Sequence, residues 1–269
     1  MSLTSHFRQF EASTPPLCIA ETLDCSRGIV DLWYYFYELI DDVELLAAQE
    51  ALMPSEERER HHSLHFDRDR RLFLATRTLV RTVLSNYARV EPSEWRFEAG
   101  RHGKPRIVRP TVTPPLFFNL ANTYGLVVCA VSVAYERIGV DVERVDCKAE
   151  ILEIANRYFS ASEVGALREL SGSEQVRRFF AYWTLKESYI KARGIGLALP
   201  LDQFSFVVDN DPIGVTFDNE SPDDATRWRF ALLDAPPQHV IAIGADTGGA
   251  ALSLRSSQFL PLRGNGAQI

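Results

Sequence analysis

The sequence predicts an α+β fold built from two similar half-domains in a pseudo-twofold arrangement, each a small, mainly antiparallel sheet packed with a long helix. Two observations carry that reading. A long helical stretch that runs into strands occurs once at Leu72 to Ala134 and again at Arg177 to Ala245. The chain has 269 residues, 46% of them apolar, which is enough to bury one large or two modest cores. The expected divisions are a disordered N-terminal segment at 1–16, an N-terminal half at 17–137, a C-terminal half at 138–247 and a loose tail at 248–269.

Taken in order, Leu17 to Ala20 looks like the start of a strand. Ile29 to Phe36 is rich in β-branched and aromatic residues and reads as a strand, while Trp33 to Tyr37 could equally open a helix continued by Glu44-Leu45-Leu46. Pro54-Ser55-Glu56-Glu57 starts a helix, with proline, a cap candidate and acids in the first turn. In the next helix Leu72, Leu79, Val80, Val83 and Leu84 form the apolar stripe. From Glu56 to Arg81 seven arginines outnumber five acids, which fits either solvated helices laced by i, i+4 pairs or an anion-binding wall. Gly100 to Arg106 is a tight basic loop able to bring amides and Lys104 up to a phosphate or a purine. Phe117 to Gly125 supplies Asn119, Asn122 and Thr123 at a corner before the apolar strand Leu126 to Ala134.

Ile138 to Val145 reads as a short buried strand, followed over Ile151 to Leu170 by helix, break and helix, with Ser160 as cap and Glu163 three residues on. A long helix then closes at Gly194. Phe204 to Val208, Trp228 to Leu233 and Val240 to Ala245 read as an antiparallel meander.

Composition narrows the function. A net charge of -7 and an isoelectric point near 5.5 argue against general nucleic-acid binding, which needs a basic face. No apolar run is long enough to span a bilayer and no secretory signal pattern opens the chain, so a cytoplasmic protein without membrane attachment is expected. Cys18, Cys25, Cys129 and Cys147 lack metal or redox spacing and read as reduced packing residues. His61, His62 and His65 cluster, and His61 with His65 could share a helix face. With no cysteine or further histidine nearby they read as a solvated helix edge.

The chemistry concentrates in the long helix. Trp183, Glu187 and Lys191 follow at i, i+4 and i+8, placing a ring, a carboxylate and an ammonium on one stripe. An ordinary Glu-to-Lys surface pair is one reading. Upstream, Asp141 and Glu143 fall two apart in a strand and so share a face. Two acids from a strand and Glu187 from a helix make a hard oxygen site suited to magnesium, with water and phosphate oxygens completing it.

Gly139-Val140-Asp141-Val142-Glu143 together with Trp183-Thr184-Leu185-Lys186-Glu187-Ser188-Tyr189-Ile190-Lys191-Ala192 resembles the 4'-phosphopantetheinyl transferases of the surfactin-synthetase-activating type. The resemblance extends to Gly103-Lys104-Pro105, Phe118-Asn119-Leu120, Arg157 to Glu163 and Gly196 to Leu201, and spans most of the chain from Pro54 to Ala245. It implies transfer of the phosphopantetheine arm of coenzyme A to a serine of an apo acyl or peptidyl carrier protein, with release of adenosine 3',5'-bisphosphate, by a monomer using Mg2+. It implies further that Asp141, Glu143 and Glu187 hold the ion, that Glu187 or a water it orients accepts the serine proton, and that Lys191 steadies the phosphate. Lys104, Arg71 and the corner residues Asn122 and Thr123 would meet coenzyme A, the N-terminal half supplying the phosphate wall.

The chain departs from the family at Asn122, where a histidine is common. Asparagine donates a hydrogen bond but cannot become cationic. Two other readings remain open. A different coenzyme A-dependent transferase would need an activated Cys or Ser with a His partner, for which there is no candidate. A non-catalytic relative would be expected to have lost a carboxylate of the trio, and all three are present.

Overall fold

The computed structural model describes residues 7–9, 28–145, 150–196, 199–218, 222–236 and 238–261. In chain order the elements are β1 (Phe7–Gln9), β2 (Ile29–Phe36), α1 (Val43–Ala51), α2 (Ser55–Ser63), α3 (Asp67–Tyr87), β3 (Arg96–Ala99), β4 (Pro105–Arg109), β5 (Phe117–Thr123), β6 (Leu126–Ser132) and β7 (Ile138–Arg144). There follow α4 (Ile151–Tyr158), α5 (Ala161–Arg168), α6 (Gly172–Arg193), β8 (Phe204–Val207), β9 (Gly214–Phe217), β10 (Trp228–Ala235), β11 (His239–Asp246) and β12 (Ser253–Gln258).

Two four-stranded sheets, ordered β12-β2-β6-β5 and β1-β10-β11-β7, carry the architecture. Within them β2-β6-β5 and β7-β11-β10 are the same antiparallel arrangement, reached in the same chain order, with α3 matched by α6 and the hairpin β3/β4 matched by β8/β9. This is the pseudo-twofold expected from the internal echo. Alternation along β6 explains the layering: Val127, Cys129 and Val131 pack towards Leu79, Val80 and Val83 of α3, while Leu126, Val128 and Ala130 pack against Val140, Val142 and Ile243 of the other sheet. Beyond that second sheet, Leu185, Tyr189 and Ile190 of α6 cover Leu232, Val240 and Ala242. The order of layers is therefore helix, sheet, sheet, helix.

Local signals explain the ends of the elements. Asp42 accepts the amides of Glu44 and Leu45 at the start of α1. Ser160 and Glu163 form the expected capping box on α5. Gly194, at φ 65°, closes α6 in the left-handed conformation.

Several expectations are corrected. Within the stretch expected to be disordered, Phe7–Gln9 forms β1, parallel to β10. The expected loose tail contains β12, parallel to β2. Each sheet thus recruits its fourth strand from the chain terminus belonging to the opposite half, and the backbone of that strand is satisfied by ladder bonds that its own sequence does not announce. The expected meander is instead two units: among the described residues β8 pairs only with β9, and β10 pairs with β11. Ile29–Phe36 is strand, and the aromatic run ends in a 3-10 turn at Tyr37–Leu39. The Leu17 to Ala20 segment, Cys18, Cys25 and Cys147 lie outside the described residues. Cys129 is a buried free thiol, as expected.

Candidate active site

The acids of β7 face α6 because Gly139, Asp141 and Glu143 share one side of the strand, and Gly139 lets the helix in. A Cβ there would run into the Ser188 carbonyl and the Ala192 amide. Across the ladder Gly244 pairs with Gly139, and a Cβ on it would lie 2.8 Å from the Phe230 ring and 3.2 Å from Ser188 Oγ. The two glycines form a seat for α6. That close approach sets the Trp183, Glu187 and Lys191 stripe against Asp141 and Glu143.

Lys191 Nζ lies 2.6 Å from Asp141 Oδ1, so its partner is the strand acid across the interface. Asp141 is 6% exposed, and its other oxygen, Oδ2, is buried with no hydrogen-bond partner. Trp183 donates a side-chain hydrogen bond to Glu143. Burial raises all three carboxyls above their ordinary range: Glu143 is pushed up to about 7 by burial, then by Asp141 and Glu187, Glu187 is raised by burial and then Asp141, and Asp141 is raised by burial against Lys191 and the Val142 amide. One ammonium, one indole N–H and the Val142 amide answer three carboxylates. An all-oxygen donor set with an orphaned buried oxygen and surplus negative charge suits a divalent cation of the magnesium type. The trio is more open than a closed cage, since among the described residues only Glu50, His61 and His62 bring three ligand atoms within 4.8 Å of one another.

The support for this stripe includes residues whose buried roles the sequence does not show. Lys186, next to Glu187 but turned to the opposite side, is 0% exposed and bonds Glu163 Oε2 at 2.8 Å, with Glu163 itself 1% exposed. The ammonium also donates to the carbonyls of Leu201 and Phe204 at 2.7 and 2.5 Å, while Glu163 Oε1 accepts the Phe206 amide. This buried pair is satisfied at both ends and fixes the rotation of α6 against α5 and β8. Asn119, expected at a corner, lies within β5, where its buried Oδ1 accepts the Val140 amide at 2.8 Å and joins the two sheets beside the acids.

The other site residues are spread along β7. Lys104 sits at its Ile138 end, donating to the Ile138 carbonyl at 2.9 Å and the Ala192 carbonyl at 3.3 Å, and burial lowers its ammonium to about 8. It lines a cleft of about 640 Å³ with Arg106, Glu136, Arg137 and Arg193. At the other end, Arg144 lies 5.6 Å over the Tyr124 ring and His239 Nε2 is 3.3 Å from the Tyr124 carbonyl, which puts the turn after Asn122 and Thr123 beside the end of β7. Asn122 is exposed and Thr123 half-buried.

Much of the arginine wall has other partners. Arg71 is held by Asp41 at 2.8 Å and Asp67 at 3.1 Å. Arg81 is buried on Glu57 and the carbonyls of Pro92 and Trp95. Arg70 and Arg58 donate to main-chain carbonyls of the helix connections.

Fold and site together define a two-lobed α+β protein with an acidic, cation-seeking centre between β7 and α6. A profile described as "4'-phosphopantetheinyl transferase superfamily" matches residues 137–244, and one described as "4'-phosphopantetheinyl transferase, N-terminal" matches residues 42–134. The chain is 36% identical over 191 residues to 4'-phosphopantetheinyl transferase Sfp of Bacillus subtilis, covering 71% of this chain and 80% of that one. It is 31% identical to a phosphopantetheinyl transferase of Thraustochytrium sp., covering 74% and 72% respectively. With 4'-phosphopantetheinyl transferase HetI of Nostoc sp. it shares 35% identity over 55% of this chain and 62% of that protein, a little under two thirds of the relative's length. This chain belongs to the 4'-phosphopantetheinyl transferase superfamily. Among the described residues no helix is long and apolar enough to cross a membrane.

Proposed function

We infer that this protein transfers the 4'-phosphopantetheine arm of coenzyme A to a serine hydroxyl of an apo acyl or peptidyl carrier protein and releases adenosine 3',5'-bisphosphate. The single observation that carries the site assignment is the Asp141, Glu143 and Glu187 cluster, under-neutralised and with a buried unpartnered oxygen, set against the α6 stripe of a chain of this family. Those three residues would hold Mg2+, which supplies charge neutralisation at the pyrophosphate of coenzyme A.

The chain's own residues do the rest. The serine oxygen attacks the phosphorus that carries the pantetheine arm, and the bond from that phosphorus to the bridging pyrophosphate oxygen breaks. The serine proton passes to Glu187, directly or through one water. Burial and Asp141 raise the Glu187 carboxyl, which makes the carboxylate a better base near neutral pH. Lys191, 30% exposed and anchored by Asp141, presents its ammonium to the transferring phosphoryl oxygens. Trp183 holds Glu143 in orientation. The cleft at Lys104, Arg106, Arg137 and Arg193 offers cationic groups to the outer phosphates of coenzyme A, the three arginines being paired with Glu98, Asp246 and Asp223 in the free protein, and the end of β5 at Asn122 and Thr123 offers neutral donors at the far end of β7.

Intact-mass measurement of apo-carriers incubated with the protein, coenzyme A and Mg2+ tests this reading. Modification should stop in excess chelator and return with Mg2+, and Asp141→Asn should move the Mg2+ requirement to higher concentration. Undiminished transfer in chelator would remove the metal assignment, and failure on every class of apo-carrier would remove the activity.

A further inference from the structure

We propose that Glu50, His61 and His62 form a second metal site, chemically distinct from the acid trio, that takes a zinc-type divalent ion and clips the end of α1 to the end of α2. Glu50 is the penultimate residue of α1 and both histidines lie in the last turn of α2. One ligand atom from each of the three lies within 4.8 Å of the other two. His61 Nδ1 is 4.0 Å from Glu50 Oε1, and His62 Nε2 is in close contact with the same oxygen. Ligand atoms on a tetrahedral zinc with bonds of about 2.1 Å sit roughly 3.4 Å apart, so modest side-chain adjustment closes the set.

A second observation marks His61 as a ligand rather than a surface residue. Its side chain is 13% exposed, and its Nδ1 is buried with no hydrogen-bond partner, on the side that faces Glu50. The ring also interacts with the Arg70 backbone. The ring lies nearly parallel to Phe73 of α3, at 6.3 Å and 20°, which holds its plane.

Two imidazole nitrogens and one carboxylate form a three-ligand zinc set with a fourth position left for water. Nitrogen donors favour zinc and its neighbours over magnesium, which the oxygen-only trio suits. The competing account is a plain Glu50–His62 ion pair, which needs no metal and gives His61 nothing to do.

The test uses the full chain with any purification tag removed, stripped by chelator and then titrated calorimetrically with zinc sulfate in excess Mg2+. One equivalent of zinc should bind. Glu50→Gln and His62→Gln, both at partly exposed positions and checked for native circular dichroism, should each weaken binding by more than the roughly 10–100-fold typical of losing an outer-sphere partner. Asp141→Asn should leave zinc binding unchanged, and zinc should raise the Tm of the wild type but not of Glu50→Gln. Co2+ in place of zinc should give visible d–d bands that vanish in both variants. A wild type that binds no zinc, variants that bind it as the wild type does, or loss of zinc binding in Asp141→Asn would each overturn the proposal.

Discussion

Lys191 Nζ stands 2.6 Å from Asp141 Oδ1 while Asp141 Oδ2 is buried and unpartnered, so one ammonium answers half of a carboxylate that is 6% exposed. Removing the ammonium should leave that charge unanswered. Lys191→Met is expected to destabilise the metal-free protein by about 1–3 kcal/mol, less than the loss from a fully buried pair because Lys191 is 30% exposed. Mg2+ should then recover more stability in the variant than in the wild type, while carrier modification slows. Thermal unfolding with and without Mg2+ checks this, and identical Mg2+ responses would separate Lys191 from the metal site.

The pH dependence of stability follows from the same cluster. Burial and the neighbouring acids push the Glu143 carboxyl up from an ordinary 4.5 to about 7, so between those values the native state holds more protons than the unfolded chain. Stability should fall as pH rises through that window and level off above it, by on the order of 3 kcal/mol from Glu143 alone. Asp141 and Glu187 act in the same direction. Mg2+ should oppose the fall, because it binds the deprotonated acids. Urea unfolding of the metal-free wild type and Glu143→Gln at pH 5 and pH 8 gives the comparison. Equal pH slopes in the two proteins would show that Glu143 is not the titrating group.

Gly139→Ala should damage both fold and rate, since its methyl would strike the α6 backbone at Ser188 and Ala192. Overpacking of this kind costs about 1–3 kcal/mol, occasionally more. Gly165→Ala on α5 is the control, because nothing lies within 4 Å of a Cβ there and its φ is not positive. It should be neutral or stabilising by up to about 1 kcal/mol. A Gly139→Ala protein with wild-type Tm and rate would mean that the seat for α6 is looser than described.

The parts of the site that follow from local periodicity are legible in the sequence. Alternation put Asp141 and Glu143 on one face, and helical spacing put Trp183, Glu187 and Lys191 on one stripe. What local pattern cannot show is the choice of partner. Lys191 pairs with Asp141 across the interface although Glu187 stands at i−4. The Asp67–Arg71 pair at i, i+4 is of the local kind the sequence shows, but Asp41 on Arg71 and Glu57 with the carbonyls of Pro92 and Trp95 on Arg81 come from separate segments. β1 and β12 escaped notice because each is stabilised by a strand far away in the chain. The histidine cluster read as a solvated edge because Glu50 lies on a different helix, and the expected His61/His65 pairing fails where α2 ends at Ser63.

Glu187→Gln tests the central claim most directly, because it keeps the side chain's shape and removes its charge and basicity. Single-turnover modification of an apo-carrier should fall by about 10²–10⁴-fold under saturating Mg2+ and coenzyme A. Coenzyme A affinity should change far less, its cationic contacts lying in the cleft at Lys104. A Glu187→Gln protein that modifies the carrier at the wild-type rate would contradict the account.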